Sequence, residues 1–162
     1  MSGNCLNKIL TRMIDLLARK KGLMERIFNI TVEQSKLLTP EKVEDLLATI
    51  ERKQEYINEI SLIDAEVAPL EKEVLRLNGM PVWDGSNKGA KVMLEEVENL
   101  RKQMVVILED TRKLENENLS KISLEHQKLK DEIALLHTKR GTLKAYQGYA
   151  LQSDGYFIDK KK

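Results

Sequence analysis

The chain has 162 residues, of which 33% are charged and only 4% aromatic, and its 27 Lys and Arg nearly balance its 26 Asp and Glu. This composition leaves little material for a thick globular interior, and the near-zero net charge argues against non-specific nucleic-acid binding. No apolar run reaches the roughly 18–20 residues of a membrane span and the start lacks a signal-peptide core, so we expect a cytoplasmic protein with no membrane insertion.

The first predicted helix runs from Asn4 to Leu38, because apolar residues recur along it at helical spacing. The residue before a proline is biased away from the helical conformation, so the helix should end there. Thr39 can then cap a second helix that has Pro40 in its first turn. So short a connection predicts an antiparallel hairpin of two helices over residues 1–77.

The second predicted helix carries an apolar stripe that we expect to face the core. Pro69 lies inside this stripe and removes a main-chain donor, which predicts a kink or a break. Together with one methionine from later in the chain, the stripe predicts these shared core positions: Leu47, Ile50, Ile57 and Met104.

Residues 78–88 form the predicted loop, since they contain Asn-Gly, Pro81 and Asp-Gly. The only tryptophan, Trp83, lies in it. Two interpretations are open: Trp83 covers the end of the bundle, which we prefer, or it anchors a partner.

The third predicted helix, residues 89–147, has an apolar stripe that begins at Met93 and continues past Leu136 with a period near 3.6 residues. The hairpin should cover this stripe only as far as about residue 125. Beyond that point the helix either folds back as a fourth helix or presents an apolar seam to another molecule. The tail, residues 148–162, is expected to be flexible.

The segment from 126 to 162 also differs in charge, with eight Lys or Arg against four Asp or Glu. Exposed apolar surface of this size on a soluble protein indicates a partner site or self-association. The predicted partner-binding residues are Leu129, Ile133, Leu136, Leu143, Tyr146, Tyr149, Tyr156 and Phe157. The sequence thus predicts an all-α fold: an elongated antiparallel bundle or coiled coil of three long helices, or of four if the last one folds back.

Residues with catalytic or metal-binding chemistry do not form a recognisable motif. His126 and His137 are eleven residues apart, whereas two zinc ligands on one helix are three or four apart. Cys5 has no histidine near it in sequence, and there is no glycine-rich phosphate loop. We therefore expect neither an enzyme nor a cofactor or metal site.

Several stretches resemble the FlgN-type flagellar export chaperones, namely residues 30–34, 43–47 and 52–64 and the closing residues 155–162. The resemblance implies a chaperone that holds the hook-associated proteins of the hook–filament junction, prevents their premature assembly and delivers them to the type III export apparatus. In that family the client is held mainly by the C-terminal part, which agrees with the uncovered seam.

Two other functions remain open. One is a chaperone of the filament cap protein, a related type that shares the helical hairpin. The other is a structural coiled-coil assembly or tether protein whose third helix dimerises. Weak self-association is compatible with the chaperone, whereas a stable elongated dimer would indicate the tether.

Overall fold

The chain is described here from a computed structural model, which covers residues 2–78 and 88–159, with side chains for 3–77 and 88–147. Apart from residues 35–39, which lie in the turn after α1, these residues are helical and confirm the predicted all-α fold with three long helices. The elements are α1 at Ser2–Gln34, a 3-10 turn at Pro40–Lys42, α2 at Val43–Asn78 and α3 at Lys88–Asp159.

The chain divides into two units, an N-terminal unit of residues 1–119 and a C-terminal unit of residues 120–162. The α1–α2 hairpin and the first part of α3 belong to the N-terminal unit. The predicted loop, including Trp83, lies almost entirely outside the described residues. Helix α3 continues to Asp159, past the predicted end near residue 147, and no fourth helix begins between Lys88 and Asp159.

The turn between α1 and α2 begins earlier than the sequence indicates. Helix α1 ends at Gln34 because the main chain tightens there: the amide of Lys36 donates to the carbonyl of Glu33 at 3.0 Å, and that of Leu37 to Gln34 at 2.9 Å. Thr39 occupies the N-cap position of the 3-10 turn in an extended conformation, but its side chain makes no capping hydrogen bond.

Four ion pairs join α1 to α2. They run from Arg12–Glu66 near the start of α1 to Glu33–Arg52 near its end, so the two helices are antiparallel. Exposed pairs of this kind contribute little to stability, but they fix which residues of the two helices face each other. The N–O distances are 2.6 Å for Arg12–Glu66 and Lys20–Asp64, 2.9 Å for Glu33–Arg52 and 3.5 Å for Arg19–Glu59.

An apolar core joins the three helices of the N-terminal unit. The predicted stripe of α3 is buried or half-buried at every position from Met93 to Asn118, and the prediction that Met104 belongs to the core is confirmed. The buried apolar members of the core are Leu6, Leu10, Met13, Leu16, Leu17, Leu23, Ile63, Val67, Val74, Ala90, Val97 and Met104.

Helix α2 runs through Pro69 as one element, so the predicted alternative of a break is wrong. Val67 and Val74, on either side of the proline, are both buried in the core. Their burial holds the helix together although Pro69 removes one main-chain hydrogen bond.

Near the hairpin turn the contacts between the helices become polar. We call this set the polar layer; it consists of Thr31, Gln34, Thr49, Lys53, Glu115 and Asn118. The Lys53 ammonium bonds the carboxylate of Glu115 and donates to Thr31 Oγ1 at 3.0 Å, while Gln34 Nε2 donates to Thr49 Oγ1 at 3.2 Å. One cation thus links all three helices, because Thr31, Lys53 and Glu115 lie on α1, α2 and α3.

Candidate functional site

The C-terminal unit carries an exposed apolar seam on α3. Its residues recur in steps of 4, 3, 4 and 3 at one side of the helix, which is the spacing of a coiled-coil stripe. The four apolar members are 45–57% exposed, although they continue the stripe that is buried in the N-terminal unit. We call this stripe the C-terminal seam; it consists of Leu129, Ile133, Leu136, Arg140 and Leu143.

The predicted aromatic contacts of this surface are only partly described. Tyr146 is exposed, and its spacing of three residues after Leu143 places it beside the seam rather than in it. Tyr149, Tyr156 and Phe157 belong to helix α3, and their side chains lie outside the described residues. Their contribution to binding stays a prediction.

A second exposed apolar stripe lies on α2, where the sequence predicts core. Leu47, Ile50 and Ile57 are 54%, 47% and 40% exposed, so their assignment to the core is wrong. Val43, also exposed, begins the same stripe, which again advances in steps of 4, 3, 4 and 3. We call it the α2 seam; it consists of Val43, Leu47, Ile50, Gln54 and Ile57.

The error has a physical cause in the polar layer. The buried side of α2 passes through Thr49 and then Tyr56 and Ile63, while Lys53 is only 14% exposed. Helical periodicity in the sequence favours the more apolar of the two stripes on α2. It therefore selects the stripe of Ile50 and Ile57 instead of the stripe that is buried. The signal that could have corrected it is the helical spacing of Thr49, Tyr56 and Ile63, which continues directly into buried Val67.

A cleft of about 360 Å³ lies between the three helices of the N-terminal unit. Met24, Ile27 and Ile60 supply much of its apolar wall, and Ile57 of the α2 seam borders it. Lys20 and Lys53 contribute cations, but both are engaged in ion pairs, with Asp64 and Glu115. Arg112 also lines the cleft and has no ion pair among the described residues, so the cleft is an apolar gap between packed helices with one unpaired cation in its lining.

The residues with reactive or metal-binding side chains are dispersed. His126 and His137 are both exposed on α3, and Cys5 is exposed near the start of α1. Within the described ranges no three His, Cys, Asp or Glu side chains are grouped as a metal site would require. The same ranges contain no helix that is long and apolar enough to cross a membrane.

One ion pair changes the acid–base behaviour of its members. The Arg76 guanidinium donates from Nε to Glu73 Oε2 at 2.8 Å, and this hydrogen bond lowers the pKa of the Glu73 carboxyl, assisted by the charge of Arg76. The same bond raises the pKa of Arg76. Both residues lie in the last two turns of α2, three positions apart, where the pair supports the helix end.

Two exposed seams with coiled-coil spacing, on a fold of long helices, are typical of a protein that binds the helices of other molecules. The family model described as FlgN protein matches residues 1–153, so the chain belongs to the FlgN family of flagellar export chaperones. The resemblance seen in the sequence is thereby confirmed. Comparisons with curated proteins and with solved structures find no match.

Proposed function

We propose that this member of the FlgN family is a cytoplasmic chaperone of hook-associated proteins. It binds these hook–filament junction proteins before type III export, prevents their premature assembly and delivers them to components of the export apparatus. The observation that supports this most directly is the exposed C-terminal seam.

The seam has the chemistry that a helical client requires. Leu129, Ile133, Leu136 and Leu143 present branched apolar side chains at coiled-coil spacing, and a client helix that buries them removes their surface from water. Between residues 120 and 147 six Lys or Arg stand against three Asp or Glu. This basic excess favours a client helix with acidic flanks and accelerates its association.

Binding by the C-terminal unit leaves the fold of the N-terminal unit intact. Every buried side chain that the structure describes lies at or before residue 118. A client on the C-terminal seam therefore displaces none of the contacts that hold the three-helix core together.

The test uses two adjacent leucines of the full-length protein as a matched pair. Leu136 belongs to the seam and is 57% exposed, whereas Leu135 is 55% exposed on another side of the same helix. We expect Leu136→Glu to weaken capture of purified hook-associated proteins by roughly tenfold to a hundredfold, and Leu135→Glu to leave it within about threefold. Isothermal titration calorimetry measures both, and circular dichroism confirms that each variant keeps its helices.

The filament cap protein is titrated in parallel. Tighter binding to the cap protein than to any hook-associated protein would contradict the proposed client. Failure of the unmodified chaperone to bind either class, together with a stable elongated dimer in sedimentation, would favour the tether. Equal losses for Leu135→Glu and Leu136→Glu would place the client on a different surface.

A further inference from the structure

The cleft between the three helices of the N-terminal unit has the size of a small-molecule site. Its volume is about 360 Å³, and ligand pockets in proteins measure roughly 300–1,000 Å³. A cavity of about 150 Å³ already holds benzene, so this cleft is larger than one inserted side chain would fill. An α-helix with its side chains is about 10–12 Å across and is too wide to enter. The volume therefore favours a small ligand as the occupant.

Ion pairs between α2 and α3 lie at both ends of the cleft. Lys53 bonds Glu115 on the side of the hairpin turn, and Glu71 bonds Arg101 on the other side. The other cleft-lining residues of α2 and α3 lie between these two pairs in sequence. The pairs fix the two helices against each other at both ends, which keeps the walls of the cleft in place.

Apolar side chains from all three helices supply most of the cleft wall. Met24 and Ile27 come from α1, Ile57 and Ile60 from α2, and Leu108 from α3. A hydrocarbon tail that enters between them is removed from water together with the side chains that it covers, which favours binding. The greater part of the ligand should therefore be apolar.

Nearly all polar side chains of the cleft already have partners. The hydroxyls of Thr111 and Ser61 each donate to a main-chain carbonyl of their own helix, at 2.7 and 3.1 Å. Lys20 and Lys53 are paired with carboxylates. Among the polar side chains that line the cleft, only that of Arg112 has no ion pair or hydrogen bond within the described part of the chain. The cleft thus offers one free polar group to a ligand.

The unpaired guanidinium of Arg112 determines the charge of that ligand. A guanidinium donates two parallel hydrogen bonds to a carboxylate, and such a pair is stronger than a neutral hydrogen bond. The exposed Glu44 and Glu51 directly follow members of the α2 seam, whereas the cleft-lining Lys53 lies three residues after Ile50, on the opposite side of the seam. A carboxylate in the cleft therefore reaches Arg112 without meeting these acids.

We propose that the cleft binds an amphipathic monocarboxylate, a free medium-chain fatty acid, with its tail between the three helices and its carboxylate on Arg112. Such a ligand contacts α1, α2 and α3 together and binds only the folded unit, so it should raise the melting temperature by a few degrees. The site uses no residue of the C-terminal seam. Ligand and client therefore do not compete for the same side chains.

Isothermal titration calorimetry of the full-length protein with monomeric decanoate tests the site. We expect saturable binding with a Kd on the order of 0.1–1 mM, and at least tenfold weaker binding of decylamine, which has the same tail but a positive charge. Arg112→Gln should raise the Kd for decanoate by roughly tenfold. Lys113→Gln is the matched control and should leave it within about twofold, because Lys113 is also exposed and unpaired but does not line the cleft.

A second pair of variants tests the contact with the tail. Leu108 lines the cleft and is 51% exposed, whereas Val106 is 56% exposed on another side of α3. Leu108→Ser should raise the Kd for decanoate by about threefold to tenfold, and Val106→Ser should leave it within about twofold. Circular dichroism confirms that each variant keeps its helices.

Methyl NMR spectra of the full-length protein locate the ligand. Decanoate should shift the signals of Met24, Ile57 and Ile60 and leave those of Ile133 and Leu136 unchanged. Shifts confined to Ile133, Leu136 and the rest of the C-terminal seam would overturn the proposal, since they would show adsorption of decanoate to exposed apolar surface.

Three further results would overturn the proposal. The first is no saturable binding of decanoate, which would favour a side chain of a partner protein as the occupant of the cleft. The second is equal affinity for decanoate and decylamine, which would remove the role of the guanidinium. The third is an equal loss for Arg112→Gln and Lys113→Gln. None of these results bears on client capture, which the Leu135 and Leu136 variants test separately.

Discussion

Asn118 on α3 donates a hydrogen bond from Nδ2 to the main-chain carbonyl of Thr31 on α1, and the two atoms are 3.1 Å apart. The same carbonyl also accepts a bond from the amide of Ser35 at 3.2 Å. Asn118 is only 5% exposed, and its other amide atom, Oδ1, is buried without a partner. The last buried position of α3 up to residue 147 is therefore held by a polar contact that is incompletely satisfied.

Asn118→Ala should lower the free energy of unfolding by only about 1 kcal/mol. The substitution removes one hydrogen bond, but the Thr31 carbonyl keeps its bond from Ser35 and the unpartnered Oδ1 is removed as well. Urea denaturation followed by circular dichroism measures the change. Met104→Ala, in the apolar core, is the comparison and should lower the free energy by about 2–5 kcal/mol. An equal loss for the two variants would contradict this account of the polar layer.

Two isoleucines on α2 should respond in opposite ways to a buried charge. Ile63→Asp should unfold the N-terminal unit, because Ile63 is 3% exposed and an unpaired carboxylate there would be buried. Ile57→Asp should keep the fold and shift the melting temperature by a few degrees at most, since the new side chain reaches water. Thermal melts at low protein concentration compare them. Unfolding by Ile57→Asp would show that the α2 seam is covered within the chain.

Removal of residues 120–162 should leave the N-terminal unit folded. The described buried side chains all belong to residues 1–119, so this fragment should melt cooperatively, within a few degrees of the full-length protein. It should also lose client capture if the C-terminal seam is the client site. Differential scanning calorimetry and the binding assay separate the two effects. A fragment that still captures the client at full affinity would exclude the C-terminal seam as the client site.

The Glu73–Arg76 pair predicts a small dependence of stability on pH. The pKa of Glu73 is lowered in the folded protein, so ionised Glu73 stabilises the fold above its ordinary pKa, and this contribution is lost as the pH falls through the folded pKa. Glu73→Gln should therefore be less stable than the parent at neutral pH and equal to it in acid. Glu95→Gln, exposed on α3, is the control. A Glu73→Gln difference that is the same at both pH values would rule out this electrostatic origin.

The sequence predicts the fold well where one stripe alone can be buried. On α3 the 3.6-residue period selects one side of the helix, and the positions from Met93 to Asn118 are buried or half-buried as predicted. On α2 two stripes compete, and the one that is buried near the turn contains Thr49 and Lys53. Periodicity cannot identify that stripe, because its burial depends on partners for Lys53 that come from α1 and α3.

The two exposed seams also differ in whether the sequence alone can predict them. The C-terminal seam is predictable, since its apolar residues continue the α3 stripe past Asn118, and the structure shows them exposed. The α2 seam is not, because its residues have the composition of a core stripe and only tertiary packing leaves them exposed. Its acidic flank, Glu44 and Glu51, is present in the sequence but has meaning only once the neighbouring apolar residues are known to face water.

The ion pairs of the hairpin also disfavour one alternative packing, that of α1 against a second copy of α1. Over the first two thirds of α1 the cations stand on α1, at Arg12, Arg19 and Lys20, and their acidic partners stand on α2. Two copies of α1 placed antiparallel would bring these like charges into opposition, at a distance where repulsion opposes association. The same row of residues that sets the hairpin in register thus discourages packing of α1 against the α1 of a neighbouring molecule during folding.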